Sequence, residues 1–560
     1  METLEDRLQL GETVLGVLTG LTLLESLAPA PELSELPALV SPRPLPVTSP
    51  GLLDSYSAAA PQSGAIYEIV NHADSPNPTP GGDTADFWPS AGQASPAFWR
   101  ASGPLGAARQ DPFFLSMVPF TGSAGPAAFS APVQAFPPTF SRTDAPGALR
   151  DSASGTDFAT LTDSTPLAFD IGTGQLGIHR DANDHTVRTT INAAGFLEVT
   201  RAGQLHSSDP ASAGFDRALA GAMAANLRAV RFDGGAEDQL AVSASCLPGA
   251  FVVRAGAAEV IAGAVTAAGA VSIQAPKVTV TGAVHAPAVS LNATGWVVIE
   301  ATGEVSTGRD GTGGQIAIVA DKFVNSGRVH ADGAAGGQIQ LHAGNILNGG
   351  PISADGTQSG PGGSVQVSFT GVYIGTVAGL TSANSQPEPG ASAPGVGGTV
   401  IINGGATGRL FSSGKHEATG ATGGEVDLLG REIVLPGASI DTSGNNGGGL
   451  VHIGGDFHGG TVGASLQLAR SQGQVTNLPH NASTVTVTSA TTIHADAWQN
   501  GDGGRVAVWS EEGTDFSGTA SARGGITGGA GGFIEVSSKG KLNFAGSGDA
   551  GAPRGQAGKL

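Results

Sequence analysis

Cysteine is almost missing from this chain, because its 560 residues include only Cys246. A single cysteine excludes an intrachain disulfide framework and also a zinc site built from several cysteines. We expect Cys246 to be a small apolar side chain that is buried or half-buried.

Charged side chains make up only 13% of the residues, and basic ones are the scarcer kind. Lys and Arg number 27 against 47 Asp and Glu, which gives a net charge of −20. Nucleic-acid binding needs clustered basic residues. No such cluster occurs in the sequence, so we predict no nucleic-acid partner.

Long apolar runs are also missing, since no stretch reaches the roughly 18 residues that a membrane-spanning helix needs. We therefore predict a protein that is not integral to a membrane. The longest apolar run, Val14–Leu24, follows the acidic segment METLEDR, whereas secretory signals begin with basic residues. We interpret residues 1–27 as an amphipathic helix capped by Thr3, with a sorting signal as the alternative.

Glycine is the abundant residue, at 88 of 560, and aromatic residues are only 5%. This composition fits stacked β-structure with small side chains better than a helical globule. Residues 28–160 are rich in Pro, Ala and Ser and predict an irregular leader or linker. Residues 161–250 predict a β-rich cap, with short strands at Leu167–Ile171, Leu176–His179, Thr186–Ile191, Gly195–Thr200 and Leu227–Phe232.

A repeat begins at about residue 251 and runs to the end of the chain. In its first part, Ser272-Ile273 recurs as Ser290-Leu291 and Val284 recurs as Val305, with offsets of 18 and 21 residues. Farther on, a glycine pair precedes each alternating segment: QIAI, QIQL, SVQV, TVII, EVDL, LVHI, RVAV and FIEV. A second strand follows in the same unit, in GRVHADG, GPISADG, ASIDTSG and GTASARG.

The second glycines of these pairs are separated by 23, 26, 35, 26, 25, 55 and 28 residues. We interpret the 35-residue spacing as one unit with an insertion and the 55-residue spacing as two units. Glycine supplies the positive φ or the close backbone approach that a coil corner needs. One unit cannot bury its apolar face alone, but stacked units share a core. The prediction is an all-β fold, a parallel β-helix of about a dozen coils.

Three motifs in the repeat resemble the large exoproteins of the filamentous haemagglutinin family. They are GASIDTSGNNGGGLVHIGGDFHGG (Gly437–Gly460), GDGGRVAVWSEEGTDFSGTASARGG (Gly501–Gly525) and GGAGGFIEVSSKGKLNFAGSGDAG (Gly528–Gly551). The resemblance covers about residues 250–560, and the order of the motifs also matches. It implies a right-handed parallel β-helix, export across the outer membrane and adhesion. LEDRLQL (Leu4–Leu10) is similar to a surface-sorting motif near the N-terminus of such proteins, whereas the family's N-terminal secretion domain is not recognisable.

Two groups of residues suggest chemistry. His452, Asp456 and His458 are metal-ligand types. Strand alternation predicts that His452 points outward and that the other two lie beyond a glycine corner. We interpret the three as an exposed histidine, a turn-stabilising aspartate and a surface histidine. Gly408–His416 is similar to a phosphate loop and Asp233–Leu240 to a calcium repeat, but each departs from its pattern at an essential position. We interpret Gly408–His416 as an ordinary loop.

Carboxylates are the remaining candidates. Glu425 and Asp427 share an outward strand face, and a carboxylate pair is the minimum for glycoside hydrolysis. Other scattered candidates are Asp441, Glu511 and Glu512 near Arg505, and three tryptophans that could stack on sugars or pack at corners: Trp296, Trp498 and Trp509. Two outward acids on an acidic protein are usually a solvated face.

We therefore expect no catalytic, cofactor or metal residues, and no cofactor. The expected function is a secreted or cell-surface adhesin-like exoprotein associated with the bacterial outer membrane. Its partners would be glycans or proteins of host or neighbouring cells, and an outer-membrane transporter for export. Two alternatives stay open: a polysaccharide lyase or hydrolase built on a β-helix, and a passive spacer in a longer surface protein.

Overall fold

The structure is a computed structural model that describes residues 161–560 except 163, 183, 309–310, 387–394 and 461–479. The predicted N-terminal helix at 1–27 and the leader at 28–160 lie outside these residues. In the part of the chain that is described, no helix is both long enough and apolar enough to span a membrane.

Strands dominate the described residues, and the helical segments there are two 3₁₀ turns, Arg217–Leu219 and Phe457–Gly459. The strands are β1 Leu167–Asp170, β2 Gln175–His179, β3 Thr186–Ile191, β4 Leu197–Arg201, β5 Gln204–Ser207, β6 Ala229–Asp233, β7 Gln239–Leu247, β8 Phe251–Ala255, β9 Glu259–Ala267, β10 Val271–Val280, β11 Ala283–Ala286, β12 Ala288–Ile299, β13 Glu304–Thr307, β14 Gln315–Asn325, β15 Arg328–His330, β16 Gln338–Asn348, β17 Pro351–Ser353, β18 Ser364–Phe369, β19 Val372–Gly375, β20 Leu380–Ser382, β21 Thr399–Asn403, β22 Arg409–Ser412, β23 Lys415–Glu417, β24 Glu425–Leu429, β25 Glu432–Leu435, β26 Ser439–Asp441, β27 Leu450–Ile453, β28 Thr484–Val487, β29 Thr492–His494, β30 Arg505–Val508, β31 Gly513–Phe516, β32 Thr519–Ser521, β33 Phe533–Val536, β34 Lys541–Phe544 and β35 Ser547–Asp549.

Three parallel ladders run the length of the described chain, and each coil adds one strand to each ladder. The first ladder contains β2, β6, β8, β10, β12, β14, β16, β18, β21, β24, β27, β30 and β33. The second contains β3, β7, β9, β10, β12, β14, β16, β19, β22, β25, β28, β31 and β34. The long strands β10, β12, β14 and β16 take part in both of these ladders. The third contains β7, β9, β11, β13, β15, β17, β20, β23, β26, β29, β32 and β35. The predicted all-β parallel β-helix is confirmed.

The strand register agrees with the offsets in the sequence. Ser272 pairs with Ser290, and Val284 pairs with Val305. The alternating segments that follow the glycine pairs form the first ladder, and the shorter second segments form the third. Alternation buries one side chain in two, so Val, Ile and Leu from all three ladders fill one continuous core.

Close backbone approach, rather than positive φ, explains the paired glycines. From Gly337 onward, the second glycine of each pair lies against the carbonyl of its counterpart one coil earlier, as Gly449 does against Gly424. A Cβ on Gly449 would lie 2.5 Å from the Gly424 carbonyl oxygen and 2.8 Å from that of Thr442. Stacked corners therefore have no room for a side chain.

The segment 161–250 joins the solenoid directly. β2 pairs in parallel with β6, and β6 with β8, so the ladders extend to strands before residue 251. Antiparallel pairs also occur here, between β1 and β2 and among β3, β4 and β5. These pairs cover the first coil, which would otherwise present an open strand edge.

The sequence predictions for one repeat spacing and for Cys246 were wrong. The 55-residue spacing is one coil and not two, because β27 pairs directly with β30 and the extra residues form an insertion between β27 and β28. Cys246 is exposed and not buried, because the register between β7 and β9 shifts there. Its backbone adopts φ of 60°, and its N–H donates to Thr266 Oγ1 at 2.8 Å.

Candidate functional site

The candidate site lies on the outward face of the first ladder, where β24, β27 and β30 are neighbours. Asp427 pairs in register with His452, and His452 pairs with Ala507 of the next coil. All three face away from the core, yet all three are buried. The predicted outward direction of His452 is correct, but its predicted exposure is wrong, because other residues cover this face.

His452 forms a triad with two aspartates. Its Nδ1 lies 2.8 Å from Asp427 Oδ1, and its Nε2 lies 3.2 Å from Asp456 Oδ1. Burial lowers the pKa of His452, but the hydrogen bonds to the two aspartates outweigh this effect and raise it to about 9. The hydrogen bond to His452 in turn holds the pKa of Asp456 below its usual range.

Glu425 lies on the same strand face as Asp427, as the alternation predicts. Burial raises the pKa of Glu425 well above its usual range, and the negative charge of Asp427 adds to the effect. Glu425, Asp427 and His452 each offer a ligand atom, and these atoms all lie within 4.8 Å of one another. The site thus gathers several ionisable groups in a poorly solvated place.

Aromatic side chains border the cluster. The Arg505 guanidinium lies 4.2 Å from the centre of the Phe457 ring and 5.9 Å from that of Phe533. The Phe457 ring also meets the edge of the His452 ring, with centres 5.9 Å apart. These contacts hold the start of the insertion, residues 454–460, against the first ladder.

His458 does not join His452 and Asp456, although the sequence places the three residues close together. Its side chain is 72% exposed, and its backbone N–H donates to both oxygens of Glu535 at 3.1 Å. The backbone at His458 is left-handed, with φ of 56°, which directs its ring away from the triad. The predicted surface position of His458 is confirmed.

Trp509 packs at the corner, which was one of the two predictions for it. It is 4% exposed, and its ring covers the glycines of the insertion. A Cβ on Gly455 would lie 2.7 Å from Trp509 Cδ1, and one on Gly459 2.6 Å from Cζ2. Trp296 instead lies beneath Lys322 Nζ at 4.9 Å, and Trp498 is 43% exposed.

The remaining sequence candidates lie apart from this site. Gly408–His416 is not an ordinary loop, since most of it forms β22 and the start of β23, with His416 buried in the interior. Asp238 accepts hydrogen bonds within its own turn, from Gly235 N–H at 2.6 Å. Glu511 pairs with Lys539 at 2.9 Å, not with Arg505, and Asp441 accepts from Ser443 N–H at 2.9 Å.

All four members of the cluster were candidates in the sequence, but in two separate groups. Glu425 and Asp427 were predicted as a carboxylate pair, and His452 and Asp456 as part of a possible metal group. The missed signal was the repeat itself, since Asp427 and His452 each stand three residues after the second glycine of their pair. Equal distance from a stacked corner places two residues side by side on neighbouring coils.

Comparison with known proteins gives a partial likeness to a solved structure. No family model matches the chain, and no curated protein sequence matches it. Among solved structures, the chain is similar to the HMW1 secretion domain from Haemophilus influenzae, with 17% sequence identity and a TM-score of 0.40. That alignment covers 70% of this chain and 96% of the HMW1 chain.

Proposed function

We propose that this chain is a secreted or surface-displayed exoprotein whose β-helix serves as a rod for attachment. The observation that carries the proposal is the insertion between Ile453 and Thr484. It has 30 residues, whereas the preceding coil has only two residues between Leu429 and Glu432. The ladders continue without a break on either side of it.

The rod is well suited to presenting such a loop. Each coil advances the solenoid by about 4.8 Å, so ten coils extend it by roughly 50 Å. The continuous apolar core and the stacked corners hold neighbouring coils in one register. A rigid support lowers the entropy cost when several outward loops engage a surface together.

The proposed partners are glycans or proteins on host or neighbouring cells. Export through an outer-membrane transporter belongs to the same proposal, and it rests on the three glycine-rich motifs between Gly437 and Gly551. The scarcity of cysteine is compatible with passage through an oxidising compartment, because no disulfide network can form.

The test replaces residues 454–483 with Gly-Arg, the connection at Gly430-Arg431 of the preceding coil. The full chain should bind cultured epithelial cells or an immobilised glycan array, and the shortened variant should bind at least tenfold less. Circular dichroism of both proteins checks that the coil is retained. Equal binding by the two proteins would overturn the role of the insertion, and no binding by the full chain would favour the passive spacer.

The polysaccharide-active alternative requires carboxylates that a polymer can reach. Asp427 has no exposed surface and His452 is 4% exposed, so Glu425 and Asp427 do not form an open pair. That observation gives the enzyme alternative no support at this pair. The absence of enzyme activity stays a prediction, and incubation with pectin, chitin and cellulose followed by reducing-sugar analysis tests it.

A further inference from the structure

We propose that Glu425, Asp427 and His452 form a binding site for a divalent transition-metal ion, with Asp456 closing its solvent side. The site is new relative to the attachment function and does not depend on it. Two coils build it, since β24 supplies the two carboxylates and β27 supplies the imidazole. The start of the insertion supplies Asp456.

The distances fit one shared ion. Three ligands bound to one zinc-like ion at about 2.0–2.2 Å lie roughly 3.3–3.8 Å from one another. The three ligand atoms here all lie within 4.8 Å of one another. An ion would have to draw them together by up to about 1 Å, which side-chain rotation can supply.

An unsatisfied oxygen points independently to a ligand. Asp427 is fully buried, and its Oδ1 is bonded to His452, but its Oδ2 has no hydrogen-bond partner among the described residues. A buried polar atom without a partner destabilises the fold, and a charged one does so more strongly. A bound cation would satisfy this oxygen directly.

The chemistry of the donors suits a cation. The cluster contains three carboxyl groups, those of Glu425, Asp427 and Asp456, around the His452 ring. Metal binding would replace the imidazole proton at one ring nitrogen and release it to solvent.

The donor set selects the kind of metal. One imidazole nitrogen with carboxylate oxygens suits Zn²⁺ or Mn²⁺, whereas Ca²⁺ prefers six to eight oxygens. The surroundings are firm, because Phe457 packs on both His452 and Arg505, and Trp509 lies over Gly455 and Gly459. Rotamers fixed in this way lower the cost of organising ligands.

The experiment is calorimetric titration of the full chain, freed of metal by EDTA and dialysis, with ZnCl₂, MnCl₂ and CaCl₂. The wild type should take up one tight equivalent of Zn²⁺ in preference to Ca²⁺, together with any weaker binding at exposed histidines. Asp427→Asn should lose that equivalent or bind it at least about tenfold more weakly. Asp515→Asn, which removes an exposed carboxylate of β31, should retain it.

Glu425→Gln provides a second test if Asp427→Asn does not fold, because Glu425 stands at the edge of its strand. X-ray absorption of the zinc-loaded wild type should show one imidazole and at least two carboxylate oxygens around the metal. The proposal is overturned if the wild type binds no tight equivalent, if the folded ligand variants bind as the wild type does, or if the absorption spectrum shows no imidazole.

Discussion

Asp427 Oδ1 and His452 Nδ1 meet at 2.8 Å across two neighbouring coils of the solenoid. The two residues stand opposite each other in register, and both are buried on a face that points away from the core. The same row holds the apolar Ile401 one coil earlier and Ala507 one coil later. Within this row, Asp427 and His452 therefore have each other as polar neighbours.

Removing either side chain of this pair should destabilise the fold. We expect Asp427→Ala and His452→Ala, measured in EDTA, each to lower the free energy of unfolding by about 3 kcal/mol, because each leaves a buried charge without its partner. The double variant should lose clearly less than the sum of the two. Urea unfolding followed by circular dichroism supplies the three numbers of the cycle.

The control for this cycle is Asp515→Ala, an exposed carboxylate that should change stability by no more than about 0.5 kcal/mol. If the effects of Asp427→Ala and His452→Ala simply add, the two side chains do not interact energetically, and the hydrogen bond between them contributes nothing to the fold.

Much of this fold could be predicted from the sequence because its geometry is periodic. A glycine pair marks a corner, alternation marks a strand, and a constant offset aligns strands of successive coils, so the pairing of Ser272 with Ser290 follows from counting. The same reasoning failed at the insertion after Ile453. There a spacing close to two units imitated a repeat, and only the direct pairing of Leu450 with Arg505 distinguishes the two cases.

The candidate site was less predictable for a physical reason. Alternation tells which side chains point outward, but not which outward side chains are later covered. Asp427 and His452 were correctly oriented, yet their burial depends on contacts made from outside the coil, such as Phe457 against His452. A single-sequence pattern does not contain those contacts.

The stacked corners predict a sharp contrast between two glycines. Gly449→Ala should lower the free energy of unfolding by about 2 kcal/mol or more, because the new methyl group would press on the Gly424 carbonyl oxygen and on Thr442. Gly256→Ala should be neutral or slightly stabilising, because a Cβ there meets nothing within 4 Å. Urea denaturation midpoints compare the two. Equal midpoints would show that the corner relaxes and that close approach is not why glycine stands there.

Asp355 should make stability depend on pH. Burial raises its pKa from 3.8 to about 6, with a further contribution from Asp332. The folded state therefore holds this proton more tightly than the unfolded state does, and the group destabilises the fold increasingly as pH rises from about 4 to about 6. Above that range its cost is constant, at most about 3 kcal/mol.

Asp355→Asn isolates this effect, because it removes the charge while its amide oxygen can still accept the Asn384 N–H. From pH 4 to pH 7.5, the stability of the variant should improve relative to the wild type by about 2–3 kcal/mol. The stability of Asp515→Asn should depend on pH in the same way as that of the wild type. Parallel curves for Asp355→Asn as well would mean that Asp355 keeps an ordinary pKa in the folded protein.

Trp509 should fix the start of the insertion to the solenoid. Its ring covers Gly455 and Gly459, so Trp509→Ala would leave a cavity beneath the segment 454–460 and cost about 3–5 kcal/mol. Amide exchange should then quicken at Ala482, whose N–H donates to the Gly454 carbonyl at 2.6 Å, and at His458, whose N–H donates to Glu535. Trp498→Ala is the matched control, because that ring is 43% exposed and should matter little to stability. Unchanged exchange at Ala482 and His458 in Trp509→Ala would show that Asp456 and Phe457 hold the segment in place without the tryptophan.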